Sequence, residues 1–245
     1  TAPMKAQQTR WISFSYCIAQ AFAAYGAERK IQRCSQRYTR RKVNMQIRLE
    51  EMLCYPLLTL IVLAVFYSIY FGKMLVQKRH GIHTYQIRHR KEKELHTVET
   101  LMSIATLGAP TAQLMSIAFG WSHLPANARF IGFLIGMLGD GVFLLSVLCM
   151  KDSWRAGIPN KDKTDLVTTG IYRYSRNPAF LGFDFMYVGV LLMYGNLLTF
   201  GFSAFAMVML HLQILQEERY LENTFGADYI AYKQQGFRYL GRKSF

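Results

Sequence analysis

Long apolar runs separated by short polar segments dominate the chain from residue 52 onward. Each run is close to the roughly 20 residues that a membrane-spanning helix needs. Gly195 and Asn196 alone separate the last two runs, which predicts a tight helical hairpin. We therefore expect an all-α integral membrane protein with about five transmembrane helices and a C-terminal helical hairpin. The predicted spans are residues 52–72, 98–119, 128–150, 179–195 and 197–216.

Proline and glycine refine this prediction. Pro56 falls in the first turn of the first span, where its missing N–H costs little. Pro110 lies near the middle of the second span and predicts a kink. Gly132 and Gly136 have the GxxxG spacing that lets another helix approach closely.

Charge indicates the orientation. The chain of 245 residues is 51% apolar and carries a net charge of +14. Residues 73–97 and 151–178 are rich in Lys and Arg, whereas the turn at 120–127 has neither. This alternation predicts that the basic loops and the C-terminus lie on the cytoplasmic side. The basic excess therefore does not require nucleic acid as a partner. The four cysteines form no CxxC pair, so neither a disulfide framework nor a zinc site is indicated.

Residues 1–44 do not fit this alternation. They are the most basic stretch of the chain, yet the alternation of spans places them on the non-cytoplasmic side of the membrane. They could be an extra domain, the first span could fail to cross, or the natural protein could begin at Met45. We favour the last account, with a membrane domain over residues 45–245 and a cofactor-binding core over 152–240. A short five-span chain of this kind suits a prokaryotic plasma membrane.

The candidate chemistry lies around the hairpin. Residues 172–183, YRYSRNPAFLGF, place Arg173, Arg176 and Asn177 at the mouth of an apolar segment. Alone, such residues are typical interfacial anchors. A hairpin, however, returns the chain to the same membrane face, so residues 176–180 and Glu217–Glu218 should lie close together. We therefore expect a binding site that faces water on one side and lipid on the other.

Two motifs carry a resemblance to a known family. LVTTGIYRYSRNPAFLG is similar to the L-V-x-x-G-x-Y-x-x-x-R-H-P-x-Y-x-G motif of the isoprenylcysteine carboxyl methyltransferases and phospholipid methyltransferases. EERYLENTFGADYIAYK resembles their second motif, E-E-x-x-L-x-x-x-F-G-x-x-Y-x-x-Y. The resemblance covers about residues 164–240 and implies S-adenosylmethionine-dependent methyl transfer. It also implies a cytosolic cofactor pocket covered by the C-terminal tail.

The resemblance assigns roles to individual residues. It implies that Glu217 and Arg176 act in catalysis, with Glu217 also near the charged part of the cofactor. The residues implied to bind the cofactor are Leu166, Val167, Tyr172, Asn177, Pro178, Ala179, Phe180 and Glu217. The chemistry agrees, because a carboxylate suits the cationic parts of S-adenosylmethionine and aromatic faces attract a sulfonium. Methyl transfer needs alignment and a dry site, and no metal ligands are indicated.

Departures from the family pattern bear on the acceptor. Asn177 replaces a histidine and Phe180 a tyrosine, so an imidazole and a hydroxyl are lost. Gln213 stands where prenylcysteine methyltransferases place a substrate-contacting arginine. Glutamine cannot supply the charge that pairs with a carboxylate, so we expect an amine, a thiol or a neutral lipid as acceptor. The partner is then a lipophilic or membrane-partitioning small molecule.

Other interpretations stay open. An NADPH-dependent membrane reductase of the sterol type has a similar C-terminal region, and the arginines near the pocket suit a 2′-phosphate. A non-catalytic membrane partner or a transporter is a second alternative, although internal repeats are not visible. Asp140 lies within a span and is a candidate functional residue. Asp184 and His211 could contact each other or the substrate.

Overall fold

The computed structural model describes residues 54–81, 93–155 and 165–241, which are mostly helical. Two 3₁₀ turns, Lys151–Ser153 and Gly170–Arg173, lie between the third and fourth helices. The predicted all-α class is confirmed. The predictions for residues 1–44 and Met45 lie outside the described residues. The α-helices are α1 (Cys54–Arg79), α2 (Lys93–Ala118), α3 (Ala126–Met150), α4 (Pro178–Met193), α5 (Leu197–Phe225) and α6 (Ala227–Gln235).

Helices α1, α2, α3 and α5 are long and apolar enough to cross a membrane, which agrees with a multi-pass membrane protein. Helix α4 has 16 residues, fewer than the roughly 20 that a perpendicular span needs. The fourth predicted span is therefore a shorter apolar helix, and the predicted count of five is not confirmed. Pro110 lies inside α2 as expected, while the kink stays a prediction.

Asn196 organises the turn between α4 and α5. Its side-chain oxygen accepts a hydrogen bond of 2.9 Å from the Thr199 backbone N–H and caps α5. Its amide nitrogen donates to the Ser116 hydroxyl of α2 at 2.9 Å and to the Trp121 carbonyl at 2.8 Å. One side chain thus begins α5 and ties the predicted hairpin to α2.

Glycine lets α3 and α4 touch backbone to backbone. A Cβ added at Gly189 would lie 2.5 Å from the Gly136 nitrogen and 2.7 Å from the Gly132 oxygen. One at Gly139 would lie 2.7 Å from the Met186 nitrogen. The close helix approach predicted from the GxxxG spacing is therefore present, and α4 is the helix that approaches. Dispersion contacts of this kind drive helix association in lipid.

Aromatic rings join α1, α3 and α4 next to this contact. The Phe66 ring lies 4.6 Å from that of Phe143 and 4.6 Å from that of Phe183, measured between centroids. Trp154, which follows α3, packs edge-on against Tyr70 at 5.6 Å. These ring contacts join α1 to α3, to α4 and to the residue that follows the 3₁₀ turn after α3.

Gly226 separates α5 from α6 with a φ of +51°. This left-handed conformation favours glycine, which ends many helices in this way. The glycine of the second motif therefore has a structural reason: it ends α5 and lets α6 begin at Ala227.

The glycine contact yields a first prediction. We expect Gly139→Ala to lower the free energy of unfolding by about 1–2 kcal/mol. Overpacking costs about 1–3 kcal/mol, which exceeds the gain of about 0.5–1 kcal/mol from replacing a helical glycine. The measurement is thermal unfolding of the detergent-purified protein. Gly141→Ala is the matched control, since a Cβ there meets nothing within 4 Å. Equal midpoints for the two variants would contradict the close packing of α3 on α4.

Candidate functional site

A cavity of about 740 Å³ lies among α1, α2, α3, α4 and α5. One end is polar and includes Arg176, Gln213 and Glu217, while most of the remaining wall is apolar. Leu60 of α1 and Leu107 of α2 line the apolar part, and Leu107 is 71% exposed on the protein surface. The cavity therefore connects a polar end with an apolar wall that includes residues exposed on the outside of the helices.

The residues given catalytic, cofactor-binding or substrate roles from sequence all line this cavity except Pro178. Pro178 is buried in the first turn of α4 and is not among the lining residues. Its ring suits that position because the missing N–H would have no helical partner there. The sequence-predicted residues that line the cavity are Leu166, Val167, Tyr172, Arg176, Asn177, Ala179, Phe180, Gln213 and Glu217. Their catalytic and binding roles stay predictions.

The hairpin brings the two motifs together. The ion pair between them is made by Glu218 and not by Glu217. The Arg176 Nη2 atom lies 3.1 Å from Glu218 Oε1. Arg238 donates to the same carboxylate through both Nε, at 3.1 Å, and Nη2, at 2.9 Å. We call Arg176, Glu218 and Arg238 the ion-pair cluster. The carboxylate is nearly buried, with 5% of its side chain exposed, and the two guanidinium groups compensate its lost hydration.

A C-terminal strap, residues 236–241, runs alongside the first motif. The Arg176 N–H donates to the Phe237 carbonyl at 3.1 Å, and the Gly241 N–H donates to the Tyr174 carbonyl at 2.8 Å. The Asn177 side-chain amide donates to the Arg238 carbonyl at 3.1 Å. Backbone hydrogen bonds and the ion-pair cluster therefore hold the strap against the polar end of the cavity.

Tyr172 is fixed from two sides. It belongs to the 3₁₀ turn Gly170–Arg173, and its hydroxyl lies 2.9 Å from the Ser146 hydroxyl of α3. The Tyr232 hydroxyl of α6 donates to the Tyr172 carbonyl at 2.6 Å. Burial raises the pKa of the Tyr172 phenol above its ordinary value, so the phenol stays protonated and neutral at physiological pH. Its ring can therefore serve as a neutral aromatic wall.

Gln213 and Glu217 face each other one turn apart on α5. The Gln213 amide donates to Glu217 Oε1 at 3.2 Å. The Gln213 Oε1 atom is buried and has no hydrogen-bond partner in the described part of the chain. This pair therefore presents oxygen atoms to the cavity, an arrangement suited to a ligand that carries N–H groups, O–H groups or positive charge.

The donor set fits the cofactor implied by the resemblance. S-adenosylmethionine carries a sulfonium, an ammonium and a carboxylate beside a nucleoside. The polar end offers a carboxylate in Glu217, a buried cation in Arg176 and the aromatic walls of Tyr172 and Phe180. Among the described residues, no group of three His, Cys, Asp or Glu could hold a metal ion.

Asp140, Asp184 and His211 are not among the cavity-lining residues. Asp140 is buried in α3, and its oxygens have no partner among residues 54–81, 93–155 and 165–241. His211 hydrogen-bonds through Nδ1 to the Tyr239 hydroxyl of the strap. The structure thus adds the strap as a partner of His211, while a contact of His211 with Asp184 or the substrate stays a prediction.

Sequence reasoning missed Tyr232 and Ser146, and it considered Arg238 only as a partner of a 2′-phosphate and not of Glu218. Tyr232 could have been identified from the sequence, because it is the last tyrosine of the second motif. Arg238 follows Glu218 by twenty residues, so no helical periodicity relates them. Ser146 is one small polar residue in an apolar span and has no distinguishing pattern.

Known proteins match the part of the chain that forms this site. A sequence profile of the phospholipid methyltransferase family matches residues 129–228, which include α3, the first motif, the hairpin and most of the second motif. A protein-S-isoprenylcysteine O-methyltransferase from Saccharomyces cerevisiae is 30% identical over 120 residues, covering 48% of this chain and 50% of the relative. One from Schizosaccharomyces pombe is 38% identical over 77 residues, covering 31% and 32%.

The resemblance predicted from the two motifs is thereby confirmed. The chain spans at most half the length of either relative. Both relatives come from yeasts, so they give no support to the predicted prokaryotic plasma membrane. The reductase interpretation likewise finds no support among these matches.

The ion-pair cluster yields a second prediction. We expect Arg238→Gln to speed hydrogen–deuterium exchange at the Arg176 and Gly241 amides at least about tenfold. A hydrogen bond to a charged group contributes about 1.5–3 kcal/mol, partly screened here because the Arg238 side chain is 36% exposed. Lys233→Gln is the control, because the Lys233–Glu222 pair is more exposed and off the strap. Unchanged exchange in Arg238→Gln would contradict the role assigned to the cluster.

Proposed function

We propose that this protein transfers a methyl group from S-adenosylmethionine to a lipophilic or membrane-partitioning acceptor, because residues 129–228 match the phospholipid methyltransferase family. The observation that carries the proposal is the cavity, whose polar end meets an apolar wall. A water-soluble donor and a lipid-soluble acceptor can meet in such a cavity without leaving their own phases.

The polar end is proposed to hold the cofactor. Leu166, Val167, Ala179 and Phe180 would pack on its uncharged parts, and Glu217 would stabilise its positive charge. The neutral Tyr172 ring, held by Ser146 and Tyr232, would attract the sulfonium by cation–π interaction, at roughly 0.5–2 kcal/mol. When bound, S-adenosylmethionine supplies an electrophilic methyl group on sulfur.

The apolar wall is proposed to hold the acceptor. The relatives are named for O-methylation of isoprenylcysteine proteins. Here, the free Gln213 Oε1 atom would accept a hydrogen bond from the acceptor's N–H, O–H or S–H group. Leu60 and Leu107 would contact its hydrocarbon part. Because the hydrocarbon part of a lipid-soluble acceptor already lies in an apolar phase, this placement would avoid the cost of exposing it to water.

The chain's contribution to rate is alignment and exclusion of water. Methyl transfer requires the sulfur, the methyl carbon and the acceptor atom to lie in line, and binding both molecules in one cavity supplies much of this order. The strap closes the polar end over Arg176 and Asn177, so the transfer would occur away from bulk water. The site would face the cytoplasm if the basic loops lie inside.

The third prediction tests the cofactor class. We expect detergent-purified protein to bind S-adenosylhomocysteine saturably in a calorimetric titration, and Glu217→Gln to weaken this binding at least about tenfold, since it removes a charged partner worth about 1.5–3 kcal/mol. Glu222→Gln is the matched control, because Glu222 lies on the same helix but pairs with Lys233 outside the cavity.

NADPH provides the contrasting ligand. Binding of NADPH with no binding of S-adenosylhomocysteine would overturn the methyltransferase proposal and favour the reductase. Equal weakening in Glu217→Gln and Glu222→Gln would leave the cofactor class intact but remove the role given to Glu217.

A further inference from the structure

We propose that Arg176 is an anion subsite at the polar end of the cavity, which binds a carboxylate or phosphate through one of its two unpaired donors, Nε or Nη1. The inference deepens the proposed function and rests on it, because it concerns the same cavity. It also replaces the catalytic role that the motif implied for Arg176 with a binding role.

The first observation is a buried guanidinium with unused donors. Only 7% of the Arg176 side chain is exposed, and it lines the cavity. Its Nη2 atom lies 3.1 Å from Glu218. Its Nε and Nη1 atoms are buried and have no hydrogen-bond partner in the described part of the chain. Buried donors left unpaired have lost their hydration without compensation, so a ligand that satisfies them binds with that advantage.

The second observation is the charge of the ion-pair cluster. Arg176 and Arg238 carry two positive charges, and Glu218 carries one negative charge. Arg238 already occupies both Glu218 oxygens, so this carboxylate cannot turn fully toward Arg176. The cluster therefore keeps an excess positive charge beside the cavity, and an oxyanion ligand would neutralise it.

The third observation is that Arg176 is held in place. Its backbone N–H bonds to Phe237 of the strap at 3.1 Å. Its aliphatic part packs against Gly236, where an added Cβ would lie 3.4 Å from the Arg176 Cγ atom. With Glu218 fixing Nη2, the guanidinium is preorganised, so little side-chain entropy remains to be lost on binding. Glu218 is thus a positioning residue for Arg176.

Two ligands could bring the anion. The amino-acid part of the cofactor carries a carboxylate and an ammonium on one carbon, matching Arg176 and Glu217 in the same cavity. An acceptor could instead carry a phosphate or carboxylate head group. The chemistry at Arg176 is the same in both cases, and the opposite charges of Arg176 and Glu217 favour the cofactor.

The test compares ligands that differ by one carboxylate. The ligands are S-adenosylhomocysteine and its decarboxylated analogue, S-adenosyl-3-thiopropylamine, titrated by calorimetry. The proteins are the wild type, Arg176→Gln, Arg176→Lys and the matched control Arg173→Gln, since Arg173 is exposed in the same segment. We expect Arg176→Gln to weaken S-adenosylhomocysteine at least about tenfold and leave the analogue unchanged. Arg176→Lys should retain part of the affinity, and Arg173→Gln all of it.

A second pair of ligands tests the acceptor as the source. If Arg176→Gln leaves S-adenosylhomocysteine unchanged but abolishes binding of dodecyl phosphate and spares dodecanol, the subsite holds the anion of the acceptor. If Arg176→Gln weakens charged and uncharged ligands alike, Arg176 acts through the fold and the subsite is wrong. No effect on any ligand also overturns it. Failure of the wild type to bind S-adenosylhomocysteine would refute the proposed function, while the phosphate pair would still test the subsite.

Discussion

One nearly buried carboxylate, Glu218, joins the parts of the chain that form the polar end of the cavity. It lies on α5, and its two guanidinium partners come from the segment before α4 and from the strap. Removing the carboxylate would leave two guanidinium groups facing each other in a poorly hydrated place, which is costly. The position of the first motif, the seating of the strap and the direction of the Arg176 side chain therefore depend on this ion-pair cluster.

The cavity combines a polar and an apolar environment. Its polar end is covered by the strap, and its apolar side is built from α1 and α2 residues, some of which are also exposed on the outside of the helices. The glycine contact between α3 and α4 gives this arrangement a rigid back wall.

Much of this arrangement could be predicted from the sequence. Apolar run lengths gave the helices, and the two residues Gly195 and Asn196 gave the hairpin, because these depend on local pattern. The hairpin in turn placed the first motif beside Glu217 and Glu218. Which of the two glutamates meets Arg176 could not be predicted, because adjacent helical residues point about 100° apart and packing sets the rotation of α5. The length of α4 was overestimated, since Tyr194 is apolar in character but belongs to the turn.

The resemblance implied a cover formed by the C-terminal tail, but the contacts of the strap with the first motif could not be predicted, and its hydrogen bonds explain why. Three of its contacts with the first motif use its own backbone atoms: the Phe237 carbonyl, the Arg238 carbonyl and the Gly241 N–H. Backbone groups are the same for nearly every residue type, so most side chains of the strap are free to vary while the closure survives. The outer side chains of the strap can therefore change during evolution without disturbing the cavity that it covers. Such changes would also alter which partner binds to this surface. Arg238, which pairs with Glu218, and Gly241, whose φ is +128°, are two positions at which that freedom ends.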